Sequence, residues 1–157
     1  MPHRAIRSAE NLDALWRLFS GLKLPFTVEW TMGENRSGQQ NKLQFLWARE
    51  AAEQLGDRTA DEVRQTWKLR HGVPIMREES PEFRETYDRL IKPLTYEQKV
   101  KAMALIEVTS LMKVPQMIRY LDTIQRECAE QGIRLTDPDP DLAAYQARYR
   151  TSDKRAA

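Results

Sequence analysis

Apolar side chains recur at spacings of three and four residues along much of this chain, and this period predicts amphipathic helices. The pattern predicts one helix that starts at Ser8–Asn11 and ends at Gly21, a second over about 39–55, and a last long helix over about 114–131 that Gly132 ends. Two further helix starts are indicated at Thr59–Glu62 and Thr95–Gln98, where a threonine precedes an acid or an amide by three residues, as in a capping box. Helices therefore dominate the predicted fold.

A different period occurs at Pro25–Thr31, where Phe26, Val28 and Trp30 alternate with polar residues and predict a half-buried strand. His3–Arg7 is a candidate edge strand. We therefore predict an α+β fold, a helix-dominant single domain with a small N-terminal β-sheet. Two or three strands would leave apolar helix surface uncovered, so we expect a second copy to cover part of it in a homodimer.

The middle of the chain has a weaker pattern. The helix that starts after Thr59 is predicted to run to about His71 and to end at Gly72. Val73–Met76 is expected to be extended, and Pro81–Leu90 to form a short polar helix or a turn.

Length and composition fit one globular domain followed by a short tail. The 157 residues are 41% hydrophobic and 31% charged, which suits a folded chain with a real core. We predict that the domain spans residues 1–136. Asp137–Pro140 indicates a stiff, non-helical linker, which opens a basic C-terminal tail over 137–157 that is mobile or docked on a partner.

Charge and cysteine content narrow the functional classes. A net charge of +2 argues against a protein that coats nucleic acid through its overall charge, but it permits local basic patches. Cys128 is the single cysteine, so no intramolecular disulfide can form, and the sequence carries no secretion signal. No apolar run has the length of a membrane span. We therefore predict a cytoplasmic protein with no membrane partner.

The sequence contains no P-loop, no dinucleotide-binding glycine pattern and no nucleophile elbow. Its two histidines lie far from Cys128 and form no recognisable metal motif. Acidic residues at 57–62 fit a solvated helix start. We therefore predict no enzyme activity, no metal and no cofactor. A metal-dependent nuclease with its site in 57–62 or 78–88 is the open alternative.

The segment 36–47 carries the residue types that bind a polar, anionic ligand with flat rings. These are cations, a hydroxyl, amides and aromatics: Arg36, Ser37, Gln40, Asn41, Lys42, Phe45 and Trp47. The cations can neutralise phosphate, the hydroxyl and amides can donate to phosphate or to base edges, and either aromatic could stack on a base. The same residues also fit a helix capped by Ser37 with Trp47 in the core, so both interpretations stay open.

Two other basic positions are candidates for phosphate contacts. Lys68 and Arg70 lie near the end of the third predicted helix, where they either interact with the helix dipole or contact phosphate. Lys113 precedes the last long helix, where it either belongs to a simple cap or holds a phosphate.

Two motifs and the order of elements are shared with a known family. The first motif is Asn-Arg-Ser-x-x-Gln-Asn-Lys at 35–42, before a helix start. The second is Thr-Ser-x-Met at 109–112, followed by a helix and then by Gly-Ile-Arg-Leu-Thr-Asp at 132–137. The order of strand, helix, strand and helices, with a basic tail, completes the pattern from about residue 4 to the end. Together these features resemble the Orf (NinB) family of lambdoid phages.

The resemblance implies a DNA-binding accessory factor of homologous recombination that is not an enzyme. Orf-like proteins are dimers that form a ring-like assembly around a channel, bind single-stranded DNA, associate with single-strand-binding protein and help to load a recombinase. The resemblance places Gln40 and Asn41 near that channel and the protein in the cytoplasm of a bacterial host. Two alternatives stay open. One is an adaptor whose main partner is host single-strand-binding protein. The other is a base-flipping protein, as YbcN-type prophage relatives have been described.

This chain departs from the family pattern at three places. Phe45 occupies the register of the family tryptophan, and Trp47 comes two residues later, about 200° around a helix, so the two cannot share a face. Which of them faces DNA is open. Leu111 stands where the family pattern has an arginine, and Lys113 is its candidate replacement. Residues 72–94 form an acidic, insert-like segment.

Overall fold

The computed structural model describes Ile6, residues 8–30 and residues 38–156, with side chains described as far as Arg150. These residues contain eight α-helices, which are α1 (Ala9–Ser20), α2 (Gly38–Leu55), α3 (Ala60–Trp67), α4 (Val73–Glu79), α5 (Pro81–Leu90), α6 (Tyr96–Ala102), α7 (Val114–Glu130) and α8 (Pro140–Ala156). A π-helical segment, Lys68–Gly72, joins α3 to α4. By contacts the chain divides into two compact units, 1–34 and 35–157.

The first unit contains α1 and the segment that follows it. Ser8 caps α1, since its hydroxyl accepts the Asn11 N–H at 3.2 Å, as the sequence predicts for this helix start. The rings of Phe19 and Phe26 lie 5.5 Å apart between centroids. No residue of α1 is buried, and Trp16 and Trp30 remain 71% and 78% exposed. This unit therefore presents much of its apolar surface to solvent.

The predicted N-terminal β-sheet is wrong. No strand is present in the parts of the chain that the structure describes, and Pro25–Trp30 is irregular. Most of the other candidate strand, His3–Arg7, lies outside the described residues. The physical reason is that alternation alone does not make a strand. The backbone N–H and C=O groups of a strand need a neighbouring strand to pair with, and a helix such as α1 bonds its backbone groups internally. The described fold is helical rather than α+β.

The core of the second unit forms mainly between α2, α3 and α7. The apolar row predicted on the last long helix is confirmed, because all its members are buried: Val114, Met117, Leu121, Ile124 and Cys128. On α2 the side chains of Trp47, Ala48 and Ala51 are at most 1% exposed. Gly132 has a φ of 73°, the left-handed conformation expected of a glycine just after a helix.

The segment after Gly132 is held against α2 by polar contacts. The indole N–H of Trp47 donates to the Thr136 carbonyl at 2.7 Å. The Gln54 amide donates to the Arg134 carbonyl at 2.6 Å and accepts the Arg134 N–H at 2.8 Å. These contacts join positions more than 75 residues apart in sequence and fix the segment against α2 on the side that carries Trp47.

Both predicted capping boxes are confirmed. Thr59 accepts the Glu62 N–H at 3.2 Å while the Glu62 carboxylate accepts the Thr59 N–H at 2.7 Å. Thr95 and Gln98 make the same reciprocal pair at 3.3 and 3.0 Å. Each pair satisfies two backbone groups that the first helical turn cannot satisfy itself.

The prediction that Gly72 ends a helix is wrong. Gly72 has a helical φ of −74°, and the chain continues through it into α4, so Val73–Met76 is helical rather than extended. Pro74 lies in the first turn of α4, where a missing N–H is tolerated. A Cβ on Gly72 would lie 2.9 Å from Cγ1 of Val108, so the glycine provides room for a neighbouring segment and not a helix end.

The C-terminal residues form α8, and its first half packs on the core. Leu142, Tyr145 and Gln146 are buried. Further along, the Arg150 guanidinium makes two bonds to the Asp122 carboxylate of α7, at 2.5 and 3.2 Å. Residues 137–139 are non-helical, as predicted for the linker, whereas Pro140, which the prediction included in it, is the first residue of α8.

We predict that Gly72→Ala lowers the free energy of unfolding by about 1–3 kcal/mol, because the new methyl overlaps the stiff Val108 side chain. Urea unfolding followed by circular dichroism measures this. In Gly72→Ala/Val108→Ala the combined loss should be smaller than the sum of the single losses, since the second change removes the overlap. Gly38→Ala, where a Cβ meets nothing within 4 Å, is the control. Additive losses would contradict this account of Gly72.

Candidate nucleic-acid interface

The predicted DNA-binding residues at the start of α2 divide between surface and core. Arg36 and Ser37 lie outside the described residues. Gln40 is fully buried, and the Asn41 side-chain oxygen accepts the Gln44 amide at 3.3 Å. Lys42 is exposed. Of the described polar candidates in this segment, Lys42 is therefore the one best placed to meet a ligand from solvent.

The two aromatic candidates on α2 have opposite environments. Trp47 is 1% exposed, and its indole N–H is already used by the Thr136 carbonyl. Phe45 is 48% exposed. This difference follows from helical geometry, because two residues correspond to about 200° of rotation. Phe45 is thus the aromatic that can stack on a ligand, and the stacking role considered for Trp47 does not fit its burial.

A cation from another helix covers one face of the Phe45 ring. The guanidinium carbon of Arg64, on α3, lies 4.0 Å from the ring centroid, which is a cation–π contact. Arg49 is exposed and lies seven residues after Lys42, so the two occupy the same side of α2 as Phe45. We call the group formed by Lys42, Phe45, Arg49 and Arg64 the α2 basic face.

Two members of the α2 basic face, Arg49 and Arg64, were not predicted from the sequence. Arg49 could have been found, because its spacing from Lys42 places both on one side of any helix. Arg64 could not, because its position over Phe45 depends on how α3 packs against α2.

Lys68 and Arg70 contact other parts of the fold, Lys68 the turn that follows α6 and Arg70 the helix α7. The Lys68 ammonium donates to the carbonyls of Met103 and Ile106, the latter at 3.1 Å. Burial, and secondarily the nearby Arg64, lower the pKa of Lys68. The Arg70 guanidinium lies 2.7 Å from the Glu127 carboxylate, and His71 bonds to the same carboxylate. The π-helical segment thus directs its basic side chains into contacts between helices. The hydrogen bonds of Lys68 to these carbonyls account for its position, so no phosphate contact is needed to explain it.

Lys113 is exposed directly before α7, where its backbone N–H donates to the Gln116 side chain at 2.9 Å. Carboxylates lie close to this helix start. The Gln116 amide donates to Glu79 at 2.6 Å, and Arg119 forms ion pairs with both Glu78 and Glu79. These carboxylates reduce the positive potential that would attract a phosphate here. Among the described residues, the hydrogen bond that Lys113 makes to a side chain is to Gln116 and not to the α2 basic face.

Several of the acidic residues considered for a nuclease are held by other groups of the protein. Asp57 forms an ion pair with Arg58 at 2.7 Å, and this hydrogen bond is the main reason that the pKa of Asp57 is lowered. Glu62 closes a capping box, and Asp88 pairs with Arg77 at 2.8 Å. Within the described ranges, no three His, Cys, Asp or Glu side chains lie close enough together to hold a metal ion.

Cys128 lies on the wall of an open cavity of about 210 Å³ between α2, α3 and α7. The thiol is 1% exposed. Burial, with the neighbouring Glu127 carboxylate adding to it, raises the pKa of Cys128 to about 11. Because the thiolate is the nucleophile, this environment makes the thiol inert at neutral pH.

We predict that Trp47→Phe lowers the free energy of unfolding by about 1–3 kcal/mol, since it removes a buried hydrogen bond and leaves a cavity. Thermal unfolding measures this. Phe45→Leu should cost less, because that side chain is half exposed. A larger loss from Phe45→Leu than from Trp47→Phe would contradict the placement of the two aromatics.

We also predict that Cys128 resists alkylation in the folded protein. With a pKa of about 11, only about a thousandth of the thiol is ionised at pH 8, and the atom is shielded as well. Iodoacetamide labelling followed by mass spectrometry should give slow modification in buffer and fast modification in 6 M urea. Equal rates in both solutions would show that the thiol is accessible in the folded state.

Among the described residues, no helix has the length and apolar character needed to cross a membrane. No family model, no curated protein and no solved structure matches the chain. The resemblance to the Orf (NinB) family therefore rests on the two sequence motifs, because the strand order that completed it is not found in the described residues.

Proposed function

We propose that this protein binds single-stranded DNA through the α2 basic face and acts as a non-catalytic accessory factor of phage or prophage recombination. The geometry of Lys42, Phe45, Arg49 and Arg64 supports the DNA-binding part of this proposal. The resemblance of two sequence motifs to those of the Orf (NinB) family supports the role in recombination.

The observation that carries the proposal is the half-exposed Phe45 ring among three cations. An exposed phenylalanine in contact with solvent loses favourable burial energy, so a ligand that covers it gains that energy. Lys42 and Arg49 supply positive charge on the same side of α2, and Arg64 supplies it at the ring itself. Aromatic stacking combined with phosphate neutralisation is the common means of binding single-stranded nucleic acid.

The same arrangement favours single strands over duplexes. In a duplex the faces of the bases are covered by their neighbours, so Phe45 has no base to contact unless the helix is opened. Phosphate contacts alone would bind both forms. A preference for single strands should therefore depend on the aromatic ring, whereas the salt dependence should depend on the cations.

The finer parts of the proposal concern partners. We infer a homodimer, because the N-terminal unit exposes apolar residues that a second copy could cover. Association with host single-strand-binding protein and loading of a recombinase come from the family resemblance. A protein that binds single-strand-binding protein without binding DNA is the competing function, and the exposed apolar surface of the N-terminal unit would suit it equally well.

We predict that the protein binds a fluorescein-labelled oligo-dT more tightly than a duplex of the same length, with an affinity that falls as salt rises. Anisotropy titrations at several NaCl concentrations measure this. Lys42→Gln should reduce the slope of log K against log[salt] by about 0.7, and Phe45→Ala should lower single-strand affinity by about 1–3 kcal/mol.

Lys92→Gln is the matched control, since Lys92 is exposed just beyond α5, a helix that packs against α4. It should bind as the wild type does. No binding of wild type to either DNA at 50 mM NaCl would overturn the proposed function and favour the adaptor. Equal losses in Lys92→Gln and Lys42→Gln would place the site elsewhere.

A further inference from the structure

Arg64 occupies a position that its own helix does not explain. Its guanidinium reaches from α3 to lie 4.0 Å from the centre of the Phe45 ring on α2. Its one ion-pair partner among the described residues is Asp61, at the long distance of 3.4 Å. The buried Nε–H of Arg64 has no acceptor in the described part of the protein. An arginine side chain that is three-quarters buried normally has more hydrogen-bond partners than this, because unmade hydrogen bonds are costly.

The contact between Arg64 and Phe45 leaves one face of the ring available to a ligand. A phenyl ring has two faces, and the guanidinium covers one of them. The ring is nevertheless 48% exposed, so its remaining surface is open to solvent. A flat ligand can therefore approach from one side only, and a single ring offers room for a single base.

Two further cations lie on either side of the ring along α2. Lys42 precedes Phe45 by three residues and Arg49 follows it by four, which corresponds to about 4.5 Å and 6 Å along the helix axis. All three lie on one side of the helix. The row stops at Glu53, which follows Arg49 by four residues on the same side and opposes phosphate. The cationic stretch thus has a length suited to a short piece of backbone centred on Phe45.

We propose that Arg64 and Arg49 complete a site for one unpaired base and its flanking phosphates, which rests on the function proposed above. Arg64 holds the Phe45 ring in place and directs the base to the open side of the ring. Arg49 and Lys42 contact the phosphates on the two sides of the stacked base. Asp61 is the internal competitor for Arg64, and its 3.4 Å separation makes it a weak one.

The two arginines then have different roles that a binding experiment can separate. Arg49 acts through charge, so its contribution depends on salt and not on the base. Arg64 acts through the stacked ring, so its contribution depends on whether a base is present. Lysine in place of Arg64 keeps the charge but lacks the planar group that lies flat on an aromatic ring.

The test compares oligo-dT with an oligonucleotide of the same length whose central sites are abasic, at fixed salt. Wild type should bind oligo-dT roughly 5- to 150-fold more tightly, the range for one base stacked on an aromatic side chain. Arg64→Lys should reduce this ratio by about 2- to 5-fold, as expected for loss of a cation–π contact at a partly exposed ring, while abasic affinity stays the same. Arg49→Gln should leave the ratio unchanged and lower the salt slope by about 0.7.

Phe45→Leu provides a second route to the same conclusion, because it removes the ring and leaves Arg64 and its charge in place. It should abolish the preference for oligo-dT over the abasic oligonucleotide. In that background Arg64→Lys should not change the ratio of the two affinities any further. Thermal unfolding of each variant identifies any that are not folded. Wild type that binds neither oligonucleotide would overturn the proposed function. Wild type that binds, with the same ratio in Arg64→Lys and Phe45→Leu as in wild type, would overturn this inference and leave the function standing.

Discussion

The burial of Trp47 fixes the rotation of α2, and the candidate site depends on that rotation. The indole ring is enclosed by the core, and its N–H is held by the Thr136 carbonyl at 2.7 Å. With this side of the helix turned inward, residues about 200° away must face solvent. Phe45 is at that position, and Lys42 and Arg49 lie beside it. The same contact that stabilises the helix therefore determines which side chains it can present to a ligand.

Many basic side chains of this chain are used inside the fold, which explains how a net charge of +2 can coexist with a local cationic face. Lys68 bonds to carbonyls, Arg70 and His71 share Glu127, and Arg119 bridges Glu78 and Glu79. Carboxylates therefore balance the charges of Arg70 and Arg119 within the fold, and carbonyl oxygens hold the Lys68 ammonium. Lys42 and Arg49 have no comparable carboxylate contact among the described residues. The number of cations in the sequence therefore overstates the positive electrostatic potential near α4 and α7, where carboxylates offset it. On α2 the charges of Lys42 and Arg49 are not offset in this way.

Local signals in the sequence predicted local structure well. The two capping boxes, the apolar row on α7 and Gly132 each depend on residues within a few positions of one another, and each is confirmed. The strand at 25–31 and the helix end at Gly72 failed because each depends on a distant partner. A strand needs a second strand to pair with, and Gly72 responds to Val108. The candidate site follows the same rule, since Phe45 was predicted and Arg64, which reaches it from another helix, was not.

The N-terminal unit does not bury its own apolar side chains. A helix of 12 residues is marginal by itself in water, and α1 has no buried residue to stabilise it. Its unit exposes Trp16, Trp30 and several aliphatic side chains, whose cost in water is lowered only when another surface covers them. The second unit, by contrast, encloses Trp47 and Trp67 and presents charge on α2. The chain thus carries two kinds of surface, one apolar and one cationic with a single aromatic ring. This division suits the proposed accessory factor, which would contact both protein and a nucleic-acid strand, because an apolar contact and a phosphate contact cannot be optimised on the same side chains.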